Sequence, residues 1–71
     1  MTTPHIHTHR NQSFTITLSK AEDGQWHAYA VFDLGWKVDQ VAGVPASDKR
    51  QAYLNARQAG RRYAEEAAGT L

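Results

Sequence analysis

Three histidines alternate with other residues near the start of the chain, at His5, His7 and His9. In an extended backbone, side chains two residues apart lie on one face at intervals of about 6.5–7 Å. Imidazoles at that spacing can share a zinc, nickel or copper ion. Structural metal sites usually have four ligands, and no cysteine or clustered carboxylate stands beside these histidines. The sequence leaves two interpretations, a metal-binding arm and a polar arm that is rich in histidine.

A leucine surrounded by arginines is the second feature with possible chemistry. If the C-terminal third of the chain is one helix, Leu54 points away from its apolar side and lies among Arg50, Arg57 and Arg61. Arginine is enriched in protein interfaces, and its forked donors also suit phosphate. An ordinary solvated face remains an alternative, because Arg61 and Arg62 each precede a glutamate by four residues. We expect a protein-binding surface here, with nucleic-acid contact as the second possibility.

The aromatic residues allow a third kind of site. Trp26, His27, Tyr29 and Trp36 could form a stacking platform for RNA bases on a sheet. A domain this small needs its largest side chains for a core, so we expect the tryptophans and phenylalanines to be structural. Tyr29 and Val31 are better candidates for a dimer surface, because a single helix covers only one face of a sheet.

Catalysis has little support in the residue types. The chain has no cysteine nucleophile and no glycine-rich phosphate loop. Its serines at 13, 19 and 47 fall in a strand, at a strand end and at a helix start, where no turn would expose a nucleophile. We therefore expect a protein that is not an enzyme and has no cofactor.

Composition limits the class of protein further. Seventy-one residues make one domain, and the formal charge of +1 gives no overall attraction to nucleic acid. Five of the eight lysines and arginines nevertheless lie in the expected helix. The absence of cysteine, of a signal-peptide pattern and of a membrane-length apolar run favours a cytoplasmic protein. A small cysteine-free domain gains stability by self-association, so we expect a homodimer, formed through the sheet face of Tyr29 and Val31 or by edge-strand pairing.

Periodicity predicts the elements that position these residues. Alternation of apolar and polar residues predicts strands at 13–19 and 25–34, and a weaker strand at 36–41. Ser47 or Asp48 can cap a helix that runs to about residue 68. Residues 1–12 read as a flexible arm. The predicted fold is α+β: a domain of residues 13–71 with a three-stranded antiparallel sheet and one C-terminal helix packed on one face.

The first turn fixes which residues face the helix. A two-residue turn at 23–24 would pair Leu18 with Tyr29, whereas a three-residue loop at 22–24 would pair Leu18 with Ala28 and Ile16 with Ala30. The longer loop places Gly24 at a left-handed position, which favours it. A slip of one residue would exchange the two faces of the sheet. On the helix, mostly small residues form the stripe expected to face the sheet: Ala52, Tyr53, Ala56, Ala59, Gly60, Tyr63 and Ala67.

Three segments in this order resemble the HicB-type antitoxin domain. Residues 22–28 (EDGQWHA) look like the acidic-glycine turn that leads into an aromatic-x-Ala strand in that family. Residues 33–35 (DLG) lie near the position of its Asp-Leu-Pro-Gly corner, and residues 51–59 (QAYLNARQA) are similar to its helix. The resemblance implies a partial RNase H-like fold and a small dimerising domain that occupies a protein partner, as an antitoxin masks a toxin ribonuclease. It assigns no individual partner-contact residue in this chain.

Overall fold

The computed structural model describes residues 6–69, with side chains as far as Ala67, as four strands followed by one helix. The strands are β1 (His7–His9), β2 (Gln12–Lys20), β3 (Trp26–Asp33) and β4 (Val38–Ala42), and the helix is α1 (Lys49–Gly69). The strands form one antiparallel sheet in the order β1-β2-β3-β4, and α1 contacts all four of them on one face. The predicted α+β fold with an antiparallel sheet and a C-terminal helix is therefore confirmed.

The prediction of three strands is wrong, because residues within the expected arm form β1. His9 pairs with Gln12, so only Arg10 and Asn11 connect β1 to β2. Both connecting residues have positive φ angles, 53° and 63°. A two-residue hairpin turn with positive φ at both positions matches the natural twist of paired strands. The flexibility predicted for residues 1–12 stays a prediction, and residues 1–5 lie outside the described part of the chain.

The hairpin of β2 and β3 has the register expected from the three-residue loop. Ile16 pairs with Ala30 and Leu18 pairs with Ala28. The backbone N–H of Gly24 donates to the carbonyl of Ala21 at 3.1 Å, and Gly24 has a φ of 83°. The loop therefore ends in the left-handed conformation that glycine adopts without strain.

The turn between β3 and β4 is longer than expected. Gly35 has a φ of 88°, and the N–H of Leu34 donates to the carbonyl of Lys37 at 2.9 Å. Trp36 therefore belongs to the turn, and the third predicted strand begins two residues later, at Val38. Trp36 is 79% exposed, so the expectation of a structural role in the core does not hold for this tryptophan.

The core lies between α1 and the sheet face that the register predicted. Asp48 precedes the helix, and its carbonyl accepts the first helical bond, from the N–H of Ala52 at 3.0 Å. The buried residues are aromatic or small: Phe14, Ala28, Ala30, Phe32, Ala52, Ala56 and Ala64. Ala64 is the buried member that the predicted helix stripe omitted.

None of the helices in the described part of the chain is long and apolar enough to cross a membrane.

Two glycines allow the helix and the sheet to approach closely. A Cβ on Gly43 would lie 2.5 Å from the backbone nitrogen of Ala56. A Cβ on Gly60 would lie 2.8 Å from the ring of Phe14 and 2.9 Å from the Cβ of Ala30. Close approach to Phe14 and Ala30 therefore accounts for a glycine at this helix position, despite its unfavourable helix propensity.

Candidate functional site

The outer side of α1 brings together most of the residues predicted to bind a partner. A depression of about 450 Å³ is lined by six residues, Leu54, Arg57, Gln58, Arg61, Arg62 and Glu65, and is called here the Leu54 surface. Leu54 itself is half-buried, and the residues that face away from the sheet around it are polar or charged. Arg50 lies one helical turn before Leu54 and is exposed.

Within residues 6–69, no hydrogen bond or salt bridge occupies the guanidinium group of any arginine on the Leu54 surface. Arg57 and Arg61 are four residues apart in α1, so they project from neighbouring turns of the same side. Each guanidinium can give two parallel hydrogen bonds to a carboxylate or a phosphate.

Glu65 is the acidic residue that lines the Leu54 surface with these arginines. Its Oε1 lies 2.9 Å from Nε2 of His9. The hydrogen bond with His9 holds the pKa of Glu65 below its ordinary value, and the positive charges of Arg10 and Arg61 lower that pKa further. Glu65 therefore stays ionised, and it ties the end of β1 to the helix.

A second depression lies between β1 and α1, on the other side of the same two arginines. It measures about 320 Å³ and is called here the β1–α1 groove; its lining residues are His7, Thr8, His9, Phe14, Arg57 and Arg61. The imidazole of His7 stacks on Phe14 with ring centroids 5.3 Å apart, and its Nε2 lies 2.6 Å from the hydroxyl of Tyr53. The imidazole of His7 and the guanidinium groups of Arg57 and Arg61 thus line the same groove.

The histidine positions bear on the metal hypothesis without testing it. His7 and His9 both contact the helix, as alternation in a strand predicts, and each has a protein partner there. His5 lies outside the described residues. Among residues 6–69, no group of three or more histidine, aspartate and glutamate side chains is placed to hold a metal ion. A site built from His5, His7 and His9 stays a prediction.

The sheet face opposite α1 contains the predicted self-association residues. Tyr29 and Val31 are half-buried there and pair with Thr17 and Thr15 of β2. A depression of about 360 Å³ at one end of this face includes Val31 and two exposed apolar residues, Ile6 and Val38. The face therefore has a polar centre beside β2 and an apolar end near β1 and β4.

The aromatic residues considered for RNA stacking are separated by the fold. Trp26 is half-buried against Ala28 and the start of the helix, with the ammonium of Lys49 5.4 Å from its ring centroid. Trp36 stands at the tip of the other hairpin, and Tyr29 lies on the open sheet face. These rings do not form one platform in the described structure.

Asp23 and Asp39 each lie near another ionisable side chain. Nε2 of His27 lies 4.0 Å from Oδ2 of Asp23, which is too long for a hydrogen bond. Asp39 instead accepts a hydrogen bond of 2.6 Å from the hydroxyl of Tyr63. The hydrogen bond from Tyr63 lowers the pKa of Asp39 and raises the pKa of Tyr63. This pair joins β4 to α1, and its role in the structure is to fix their positions.

Sequence reasoning identified the arginines and missed what faces them. The contacts of Tyr53 with His7 and of Glu65 with His9 depend on β1, which the sequence pattern did not reveal. The alternation of His7 and His9 is the signal that would have found them, if it is interpreted as a strand on the helix face.

No family model matches the chain, and comparisons with curated proteins and with solved structures also found no match.

Proposed function

We propose that this protein is a small non-catalytic binding domain that captures and inhibits a protein partner through the Leu54 surface. The observation that supports this function most is the half-buried Leu54 beside two guanidinium groups that make no hydrogen bond or salt bridge within residues 6–69. An apolar contact flanked by charged donors is typical of interface anchors. The expected partner presents an apolar side chain with carboxylates on either side of it.

The resemblance to HicB-type antitoxins suggests the kind of partner. The chain has the order of hairpin, corner and helix on which that resemblance depends, and the corner at Asp33 is stabilised by a hydrogen bond from the N–H of Gly35 to its carboxylate at 3.0 Å. An antitoxin acts by occupying its toxin, without chemistry of its own. A small toxin in the cytoplasm is therefore the partner that we propose.

The Leu54 surface can be tested by affinity capture from cells of the source organism. Wild-type protein and the variants Leu54→Asp and Arg61→Glu are immobilised at equal density, and a captured partner is then purified and titrated back. Both variants should weaken its binding at least about tenfold, which corresponds to about 1.4 kcal/mol. Arg50→Glu is the matched control, because it makes the same charge change one turn outside the depression. Equal loss with all three variants would contradict the assignment of this surface.

Nucleic-acid association through the same helix is the second candidate function. Five of the eight lysines and arginines lie in α1, and Arg57 and Arg61 line two adjacent depressions. Binding to phosphates of a polymer weakens steeply as salt rises, whereas an interface centred on Leu54 should tolerate moderate salt. Measurement of affinity between 50 and about 300 mM salt separates the two functions.

Self-association accompanies the proposed function, through the sheet face opposite α1. A second copy of the chain is the occupant that we propose for Tyr29, Val31 and the apolar end formed with Ile6 and Val38. The exposed apolar side chains of that end would be buried, and the Leu54 surface on the opposite side of the molecule would remain accessible. A dimer then presents two partner-binding surfaces that face outward.

A further inference from the structure

We infer that the β1–α1 groove is a binding site for a small phosphate monoester, adjacent to the Leu54 surface, with which it shares Arg57 and Arg61. The groove has a definite shape, because β1 is held to the helix at two points. Nε2 of His7 lies 2.6 Å from the hydroxyl of Tyr53, and Nε2 of His9 lies 2.9 Å from Glu65. Arg57 and Arg61 line the helical wall, and in the sequence they lie between Tyr53 and Glu65, the helix residues of these two contacts.

The charges around the groove favour a dianion. Arg57 and Arg61 supply two permanent positive charges, and Arg10 adds a third just after β1. Glu65 is the opposing charge, and its contact with His9 is part of the wall that holds the groove open. Two guanidinium groups with free donors match the several oxygens of a phosphate better than the two oxygens of one carboxylate.

The size and floor of the groove favour a small molecule over a polymer. A volume of about 320 Å³ lies at the lower end of the range for small-ligand pockets, roughly 300–1,000 Å³. The imidazole of His7, which stacks on the buried ring of Phe14, forms the floor next to the donors. A phosphate at the arginines would therefore place a small organic group against the imidazole of His7.

Titration calorimetry and ¹H–¹⁵N NMR at constant ionic strength test this site with four probes. Glycerol phosphate is the monoester, glycerol is its phosphate-free control, inorganic sulfate tests for general anion binding, and a short oligonucleotide without terminal phosphates offers diesters only. We expect glycerol phosphate to bind and to shift the backbone signals of residues 7–9, 57 and 61. Binding of sulfate with equal affinity, or tighter binding of the oligonucleotide, would overturn the assignment of the ligand class.

Two exposed arginines of the same helix provide the matched variants. Arg61→Gln should weaken binding of glycerol phosphate about tenfold, because it removes a charge-assisted donor from the groove wall. Arg50→Gln removes the same charge outside the groove and should change affinity less than about twofold. Leu54→Asp should leave the groove signals of bound phosphate in place, which separates this site from the protein-binding function. Equal effects of the two arginine variants, or absence of binding at about 10 mM ligand, would refute the inference.

Discussion

Single residues in this small domain have large effects where they set the distance between helix and sheet. A Cβ added at Gly43 or at Gly60 would lie too close to neighbouring atoms, but the neighbouring atoms differ. At Gly43 the obstacle is the backbone of Ala56, which cannot move without the helix, whereas at Gly60 it is partly the end of the Phe14 ring. Alanine at position 60 also gains helix propensity of about 1 kcal/mol, and alanine at position 43 has no such compensation.

We therefore expect Gly43→Ala to destabilise the fold more than Gly60→Ala does. Overpacking typically costs about 1–3 kcal/mol, and for Gly43→Ala we expect the upper part of that range. Urea unfolding of both variants beside wild type, with unchanged m-values, provides the measurement. If Gly60→Ala were the more destabilising variant, the close approach of β4 to the helix would not be the limiting contact.

The hydrogen-bonded pair of Asp39 and Tyr63 makes the stability of the fold depend on pH. The pKa of Asp39 is lowered in the folded state, so its stabilising contribution is present above the ordinary value of 3.8 and is lost as the pH falls through the lower, folded-state value. The pKa of Tyr63 is raised, so its contribution is present below 10.0 and is lost as the pH rises through the higher, folded-state value.

Tyr63→Phe should therefore reduce stability at neutral pH, and its stability should fall less steeply than that of wild type as the pH is lowered. The phenyl ring keeps its contact with Phe32, whose ring centroid is 4.7 Å away, so the variant removes the hydrogen bond without leaving a cavity. Thermal unfolding of wild type and Tyr63→Phe from pH 7 to about pH 3 compares the two slopes. Parallel curves would mean that the hydrogen bond from Tyr63 does not perturb the carboxylate.

At the scale of elements, the sequence predicted the parts that have strong local signals. Gly24 and the alternation on both sides of it predicted the register of the β2–β3 hairpin, and Ser47 or Asp48 predicted the start of the helix. β1 was missed because it is short and polar, and because its turn places an arginine at positive φ, where glycine or asparagine is usual. The predicted stripe did not include Ala64. Its burial follows from its position one helical turn after Gly60.

The importance of β1 can be measured through its packing on Phe14. His7→Ala removes the stacked ring and the contact with Tyr53, and we expect a loss of about 1–2 kcal/mol in the free energy of unfolding. Thr8→Ala is the control on the same strand, because Thr8 is exposed and its change should cost less than about 0.5 kcal/mol. Denaturant unfolding of both variants is sufficient, and equal stability of the two would show that β1 is marginal to the fold.

At the scale of the whole molecule, the helix covers one sheet face and leaves the other open. A homodimer through the open face predicts a mass of twice 7.9 kDa by light scattering at micromolar concentration. Val31→Asp should convert this species to a folded monomer, because it places a charge in the interface and leaves the face under the helix unchanged. Thr17→Asp changes the same face closer to its polar centre and should have a smaller effect. A monomeric wild type would contradict the proposed dimer.

The central claim is that the outer side of α1, rather than the open sheet face, captures the partner. Its most direct test is ¹H–¹⁵N NMR of the labelled protein, with and without the purified partner from the capture experiment. We predict that signals of residues 54, 57 and 61 shift or broaden, while those of Tyr29 and Val31 keep their positions. Changes confined to Tyr29, Val31 and their β-strand neighbours would contradict the claim and would assign partner capture to the sheet.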